Sequence, residues 1–156
     1  LTQELFAKWA DTVIVVNTNY VSRFFLLEGV THHHFVKSPV LDPKGSFFYE
    51  SIAFDVPSSD SGKVQLLRLK TVKRLKANKD AYLSNFNGDY NEKYDDKEEY
   101  FVVFPDQTFE KVKLNKSSLS EVLSKKYASK VETFFKTQGK SMSEEIAASL
   151  IRYVNQ

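Results

Sequence analysis

The hydrophobic period of this chain changes once, just after Leu114, and that change bounds what it can fold into. Before Leu114 the apolar residues come in short β-branched and aromatic runs. Beyond it they recur every three to four residues, the spacing of a helix. Leu119, Val122 and Leu123 make one stripe, and Val131, Phe134 and Phe135 a second. Ile146, Leu150 and Val154, with Ala147 and Ile151 beside them, make a third. Ser118-Leu-Ser-Glu121 and Ser141-Met-Ser-Glu144 have the form of capping boxes, and Gly139 stands where a helix C′ residue belongs. Strands followed by helices, rather than alternating with them, predict an α+β fold. The body, residues 1–114, is expected to be an antiparallel sheet or a partial barrel or sandwich. Residues 115–156 are expected to form three short helices packed as part of the same domain. Helices below roughly 12–15 residues are marginal alone, so these should dock through Leu119, Leu123, Phe134, Phe135, Ile146 and Leu150.

Within the body, Lys63–Lys76 (KVQLLRLKTVKRLK) reads as one long strand with no Gly or Pro to break it. Ser46–Val56 precedes it across the turn Pro57-Ser-Ser-Asp-Ser-Gly62, so the two are expected to form a long hairpin. Thr12–Val16 and Tyr20–Leu27, joined by Asn17-Thr18-Asn19, read as another hairpin. Leu1–Ala10 reads as a short helix or an extended lead-in, and Thr31–Lys37 as a further strand. Residues 77–99 are rich in Asn, Asp, Gly and Tyr and are read as a polar loop excursion. Glu98–Phe104 and Phe109–Leu114 form a hairpin around Pro105-Asp106-Gln107-Thr108. Thirteen Phe and eight Tyr against one Trp and one Met fit a β-rich body.

The sequence narrows the chemistry by what it lacks. Without cysteine there are no disulfides, thiolate metal sites or cysteine nucleophiles. No GxSxG, phosphate-cradling glycine loop or GxGxxG is present, and no cofactor is implied. There is no run of 18 apolar residues, hence no transmembrane helix. A net charge of +2 does not call for a polyanion, so nucleic acid is not the expected partner.

Three groups carry binding hypotheses. His32 and His34 share a strand face roughly 6.6 Å apart, a spacing that grips Zn²⁺, Ni²⁺ or Cu²⁺ given a third ligand. Asn87, Asp89 and Asn91 offer hard oxygens at alternate positions, as Ca²⁺ prefers, although Gly88 comes too early for an EF-hand. Seven basic and no acidic residues lie between Lys63 and Lys79. Among them Arg68, Lys70, Lys73 and Arg74 are candidates for an anion. The stretch Asp89–Glu99 holds six acidic residues and two lysines, and pairing with it would neutralise the basic strand within the chain. A pair of the many Asp and Glu side chains would be needed for a weak carboxylate-based hydrolase.

From about Phe47 onward the chain resembles a group of uncharacterised exported proteins of Bacteroidota. The resemblance rests on the strand pair FFYESIAFDV and VQLLRLKTV, on YFVVFPDQTFEKVKLNKSSLSEVL, and on VETFFKTQGKSMSEEIAASLIRYVNQ. In that group a β-rich body leads into a Lys-rich helical tail ending near a Tyr–Asn pair, here Tyr153 and Asn155. The resemblance implies export to the periplasm or cell surface, with a signal peptide and upstream β-structure preceding Leu1. It implies no catalytic residue. The function expected is therefore non-enzymatic: a cell-envelope or secreted domain that supports or binds an envelope protein or polysaccharide. The alternatives are a metal- or small-ligand-binding β-domain using His32 and His34, and the carboxylate hydrolase.

Overall fold

The computed structural model describes residues 5–9, 11–53, 62–75, 93–137 and 141–156. The fold is α+β. The strands are β1 (Leu5–Trp9), β2 (Thr12–Val16), β3 (Arg23–Glu28), β4 (Thr31–Val36), β5 (Tyr49–Ser51), β6 (Gln65–Leu75), β7 (Lys93–Val103) and β8 (Phe109–Val112). Two helices follow, α1 (Lys116–Thr137) and α2 (Glu144–Val154). Strands β1 and β2 make a two-stranded sheet of their own. Strands β3 to β8 make an open six-stranded antiparallel meander in sequence order, not a closed barrel.

Strand β6 lies inside the meander, paired along its whole length with β7 from Gln65↔Val103 to Leu75↔Lys93. Alternation sends its side chains to opposite faces, and both are covered. Leu66 on one face and Leu67 on the other are fully buried. On the Leu66 side Val64, Tyr100, Val102, Phe104 and Val112 join Leu119, Val122, Leu123, Val131, Phe134, Leu150 and Ile151 of the helices in one core. On the Leu67 side Tyr49, Leu69 and Val103 pack with Val36, Leu41 and Phe47. The segment between β4 and β5 that supplies Leu41 and Phe47 is tied by Asp42. Its carboxylate accepts from the backbone N–H of Lys44, Ser46 and Phe47 at 3.2, 2.5 and 2.9 Å. Gly45, at φ +63°, turns the chain back.

Several expectations are corrected. Residues 12–16 pair with β1, which is a strand and not a helix, while β3 pairs with β4. The linker between β2 and β3 is the reason. Asn17 accepts from Asn19 N–H at 3.0 Å and caps a 3-10 turn, Thr18–Tyr20, which starts a new sheet rather than folding β3 onto β2. The next turn, Gly29-Val30, has Gly at a left-handed φ of 61°, the residue that a tight two-residue hairpin favours in first position. The expected long strand 46–56 shortens to Tyr49–Ser51, which still pairs with β6; residues 54–56 lie outside the described ones. The polar excursion gives up residues 93–99 to β7, where Asp95, Asp96, Glu98 and Glu99 stand opposite Lys73, Val72, Lys70 and Leu69.

Among the described residues there are two α-helices where three were expected. The first two stripes belong to α1, 22 residues long and broken at Tyr127, whose φ −133° and ψ 35° are not helical. The caps also shift. Asn115 caps α1, its side chain accepting from Ser118 N–H at 2.8 Å. Ser118 instead accepts from Lys113 N–H at 3.0 Å. Ser143 caps α2 through Ile146 N–H. Glu144 and Glu145 follow in the first turn, where the helix dipole favours acid. Gly139 lies outside the described residues.

Candidate functional site

A charged cluster is built into the helix-facing side of the meander. Glu50 on β5 stands opposite Arg68 on β6, and Arg68 opposite Tyr100 on β7. Glu144, the first residue of α2, closes over them. Glu50 and Arg68 are both buried, at 7% exposure each. The guanidinium donates to Glu50 Oε2 from Nε at 3.2 Å and from Nη2 at 2.6 Å, and from Nη1 to Glu144 Oε1. Glu98 Oε1 lies 3.9 Å away. The Tyr100 hydroxyl is 2.7 Å from Glu144 and 3.1 Å from Glu98, and its single proton serves the nearer carboxylate. His33 on β4 donates from Nδ1 to Glu50 Oε1 at 2.6 Å, while its Nε2 lies 3.5 Å from Glu28.

Burial alone would raise the Glu50 carboxyl. Hydrogen bonds from His33 and Arg68 outweigh it and hold the group below its ordinary value of 4.5. Burial, and then the bond to Glu144, pushes the Tyr100 hydroxyl well above 10.0. A carboxylate held ionised is a poor general acid, and a phenol held protonated is no base. Glu50 and Glu144 both accept hydrogen bonds from Arg68. The chemistry of the cluster is cohesion: three strands and a helix N-terminus meet on one guanidinium, and His33 ties β4 to it through Glu50.

The anion-site candidates separate. Arg68 is in this cluster. Lys70 is exposed and lies 3.5 Å from Glu98. Lys73 and Arg74 stand on β6 opposite Asp95 and Tyr94, their side chains outside the described residues. Glu99 is itself held between Lys97, at 3.1 Å, and Lys111, and hydrogen bonds from Lys111 and then Lys97 lower its carboxyl. Acidic β7 thus lies along basic β6, and Glu98 stands near Arg68 and Lys70 of that strand.

His32 and His34 do share a face of β4, but in unlike surroundings. His32 is exposed. His34 is 2% exposed and stacked on the Phe25 ring with centroids 4.6 Å apart. Among the described residues no three His, Asp or Glu side chains converge to hold a metal. Asn87, Asp89 and Asn91 lie outside the described residues. A cleft of about 110 Å³ is lined by Lys37, Ser38, Val40, Lys63, Gln65 and Phe104 among others, and by no carboxylate.

The remaining feature is apolar. Among the described residues eleven large hydrophobic side chains are prominently exposed, and nine of them fall between Phe6 and Val30. On β2, Val13, Ile14 and Val15 are 64%, 48% and 70% exposed, so both faces of that strand present apolar surface. On β3, Leu26 and Leu27 are 51% and 67% exposed. No described helix is long and apolar enough to cross a membrane. No known protein family, curated protein or solved structure matches this chain.

Proposed function

We propose that the chain is a non-enzymatic domain of the cell envelope that binds another macromolecule through its β1–β4 end. The observation that carries this reading is the concentration of exposed apolar side chains between Phe6 and Val30. They are spread over two sheets and sum to on the order of 1,000 Å², and any contiguous part of more than a few hundred Å² has the size that marks an interaction site. The opposite end, where the helices pack on β6–β8, keeps most of its apolar residues in the core, with Val72 and Phe109 half exposed. That division supports a scaffold at one end and a contact surface at the other. The envelope location rests on the resemblance alone.

The test presents the chain to solubilised envelope proteins and to purified envelope polysaccharide, beside a Val13→Lys/Val15→Lys variant. Both substituted positions are solvent-facing, so the fold should survive. Retention of the wild type and loss by the variant are expected. Equal retention of the two, or of neither, would overturn the reading.

A further inference from the structure

Both ring nitrogens of His33 face carboxylates, one buried and one in solvent. Nδ1 meets Glu50 Oε1 at 2.6 Å, and the other Glu50 oxygen accepts from Arg68. Against the effect of burial, hydrogen bonds from His33 and Arg68 hold Glu50 ionised. An ionised carboxylate only accepts, so Nδ1 carries the proton of that bond. In the neutral ring this leaves a lone pair on Nε2. That lone pair faces Glu28 Oε2 at 3.5 Å. The separation is long for a hydrogen bond, and a lone pair facing a carboxylate oxygen calls for a positive charge between them.

The backbone sets this gap. Strands β3 and β4 are joined by the two-residue turn Gly29-Val30, with Leu26 opposite His33 and Glu28 opposite Thr31. Glu28 and His33 are therefore diagonal neighbours on one face of the hairpin, within reach for long side chains. Two donors that share a tetrahedral Zn²⁺, at bond lengths of about 2.1 Å, stand roughly 3.4 Å apart. The 3.5 Å between Nε2 and Oε2 meets that requirement as it stands. We propose that His33 Nε2 and Glu28 form a surface site for a divalent transition-metal ion, with Glu50 behind the ring as the carboxylate that orients it. The proposal is independent of the binding reading above.

Three points support a metal. First, a carboxylate on the far nitrogen of a histidine is the usual companion of metal ligation. It fixes the tautomer and ring orientation and makes the ligating nitrogen more basic, and Glu50 stands in that position. Second, the site is reachable. The Glu28 side chain is 87% exposed and His33 27%, so an ion and its waters enter from solvent while Glu50 stays buried behind them. The described residues supply two protein donors and no third, and water completes the shell of such an open site. Third, the donor set is selective. One imidazole with one carboxylate suits Zn²⁺, Cu²⁺ or Ni²⁺, whereas Mg²⁺ and Ca²⁺ take oxygen ligands. A bound ion would tie the end of β3 to β4, and through Glu50 to Arg68 on β6.

Isothermal titration of the whole chain with Zn²⁺ alone, at concentrations up to about 1 mM, tests the proposal beside three variants. Glu28→Gln removes a ligand charge at an exposed position, so the fold should survive. His33→Gln removes the nitrogen donor, and His32→Ala the exposed imidazole next to it. One Zn²⁺ should bind per chain. Glu28→Gln and His33→Gln should each weaken it by at least the roughly tenfold that loss of a mere supporting group costs. His32→Ala should leave it unchanged. Cu²⁺ should bind more tightly than Zn²⁺, and Mg²⁺ should give no heat. In nuclear magnetic resonance spectra the His33 ring signals should move when Zn²⁺ is added. Absence of Zn²⁺ binding in this range overturns the proposal. So does binding that Glu28→Gln leaves intact, binding lost through His32→Ala, or equal binding of Mg²⁺. His33 ring signals that respond to pH but not to Zn²⁺ overturn it as well, and make a proton the charge between the two groups.

Discussion

Arg68→Ala should be among the most damaging single substitutions in the described part of this protein. The guanidinium is 7% exposed, donates twice to Glu50, itself 7% exposed, and reaches Glu144 on α2. Truncating one partner of a buried ion pair leaves the other charge desolvated and costs about 3–5 kcal/mol. Against a total stability of roughly 5–15 kcal/mol for a domain, that is a third or more in most cases. The sign of the pH effect follows from Glu50. Its folded carboxyl lies below its ordinary value of 4.5, so between the two values the unfolded chain binds more protons. The stability it contributes is present above 4.5 and is lost as pH falls through the folded value. Without Arg68 only His33 remains to oppose the effect of burial, so the folded value moves up toward 4.5 and the acid-dependent loss from Glu50 should be smaller than in the wild type. Replacing the pair together, as Arg68→Met/Glu50→Leu, removes both buried charges and should be less damaging than Arg68→Ala alone. Urea unfolding followed by circular dichroism at pH 7 and pH 4 measures all three proteins. A loss under 1 kcal/mol for Arg68→Ala, or a double variant as weak as the sum of its parts, would refute the reasoning.

Other outcomes follow from single contacts. Asn155 accepts from Val64 N–H at 2.8 Å and donates to Val64 C=O at 2.9 Å. Asn155→Ala should therefore cost about 1–3 kcal/mol by stranding two backbone groups, read as a lower urea midpoint at unchanged slope. Phe134 is 7% exposed, packed edge-on to Phe135 and tilted against Tyr153, so Phe134→Ala should cost about 3–5 kcal/mol. Phe135 is only partly buried, with the Lys116 ammonium 4.7 Å from its ring centre, and Phe135→Ala should cost clearly less in the same assay.

What the sequence made legible follows from which interactions are periodic. Lys63–Lys76 announced itself by composition, and β6 does hold the helices on one face and Leu41 and Phe47 on the other. The helical stripes named nearly every core residue of α1 and α2, because burial repeats with the helix turn. Pairing partners were less legible. Thr12–Val16 is a strand on any reading, but whether it folds back on Leu5–Trp9 or forward on β3 depends on the backbone of Asn17–Ser22. The charged cluster carried a signal that went unused. Glu50 inside FFYESIAF and Arg68 inside LLRL are charges in apolar runs. A charge in such a run requires a buried partner. Each was instead read through its own segment: Arg68 with the basic strand, Glu50 as one place in an alternation. The opposite neighbour that makes them a pair is set by a register no local pattern encodes.

The two ends of the meander differ in how they satisfy the same physical requirement. At β6–β8 most apolar side chains meet another element, Val72 and Phe109 excepted, and the charges that enter are matched: Arg68 by Glu50 and Glu144, Glu99 by Lys97 and Lys111, Glu110 by Lys125. At β1–β4 the strands are as apolar, yet Val13, Val15, Leu27 and Val30 stand mostly in solvent. A two-stranded hairpin such as β1–β2 is marginally stable in water by itself. Its apolar residues therefore do not stabilise the monomer in proportion to their hydrophobicity, and their contribution depends on a covering surface. The link between β3 and β4 is different in kind, since His33 reaches from β4 to Glu50 and Phe24 stacks on Phe35 at 4.8 Å. The outer strands are thus anchored to the charged cluster through His33. Strands β3 and β4 are therefore held by contacts within the meander, whereas the contribution of the β1–β2 hairpin depends on what covers it.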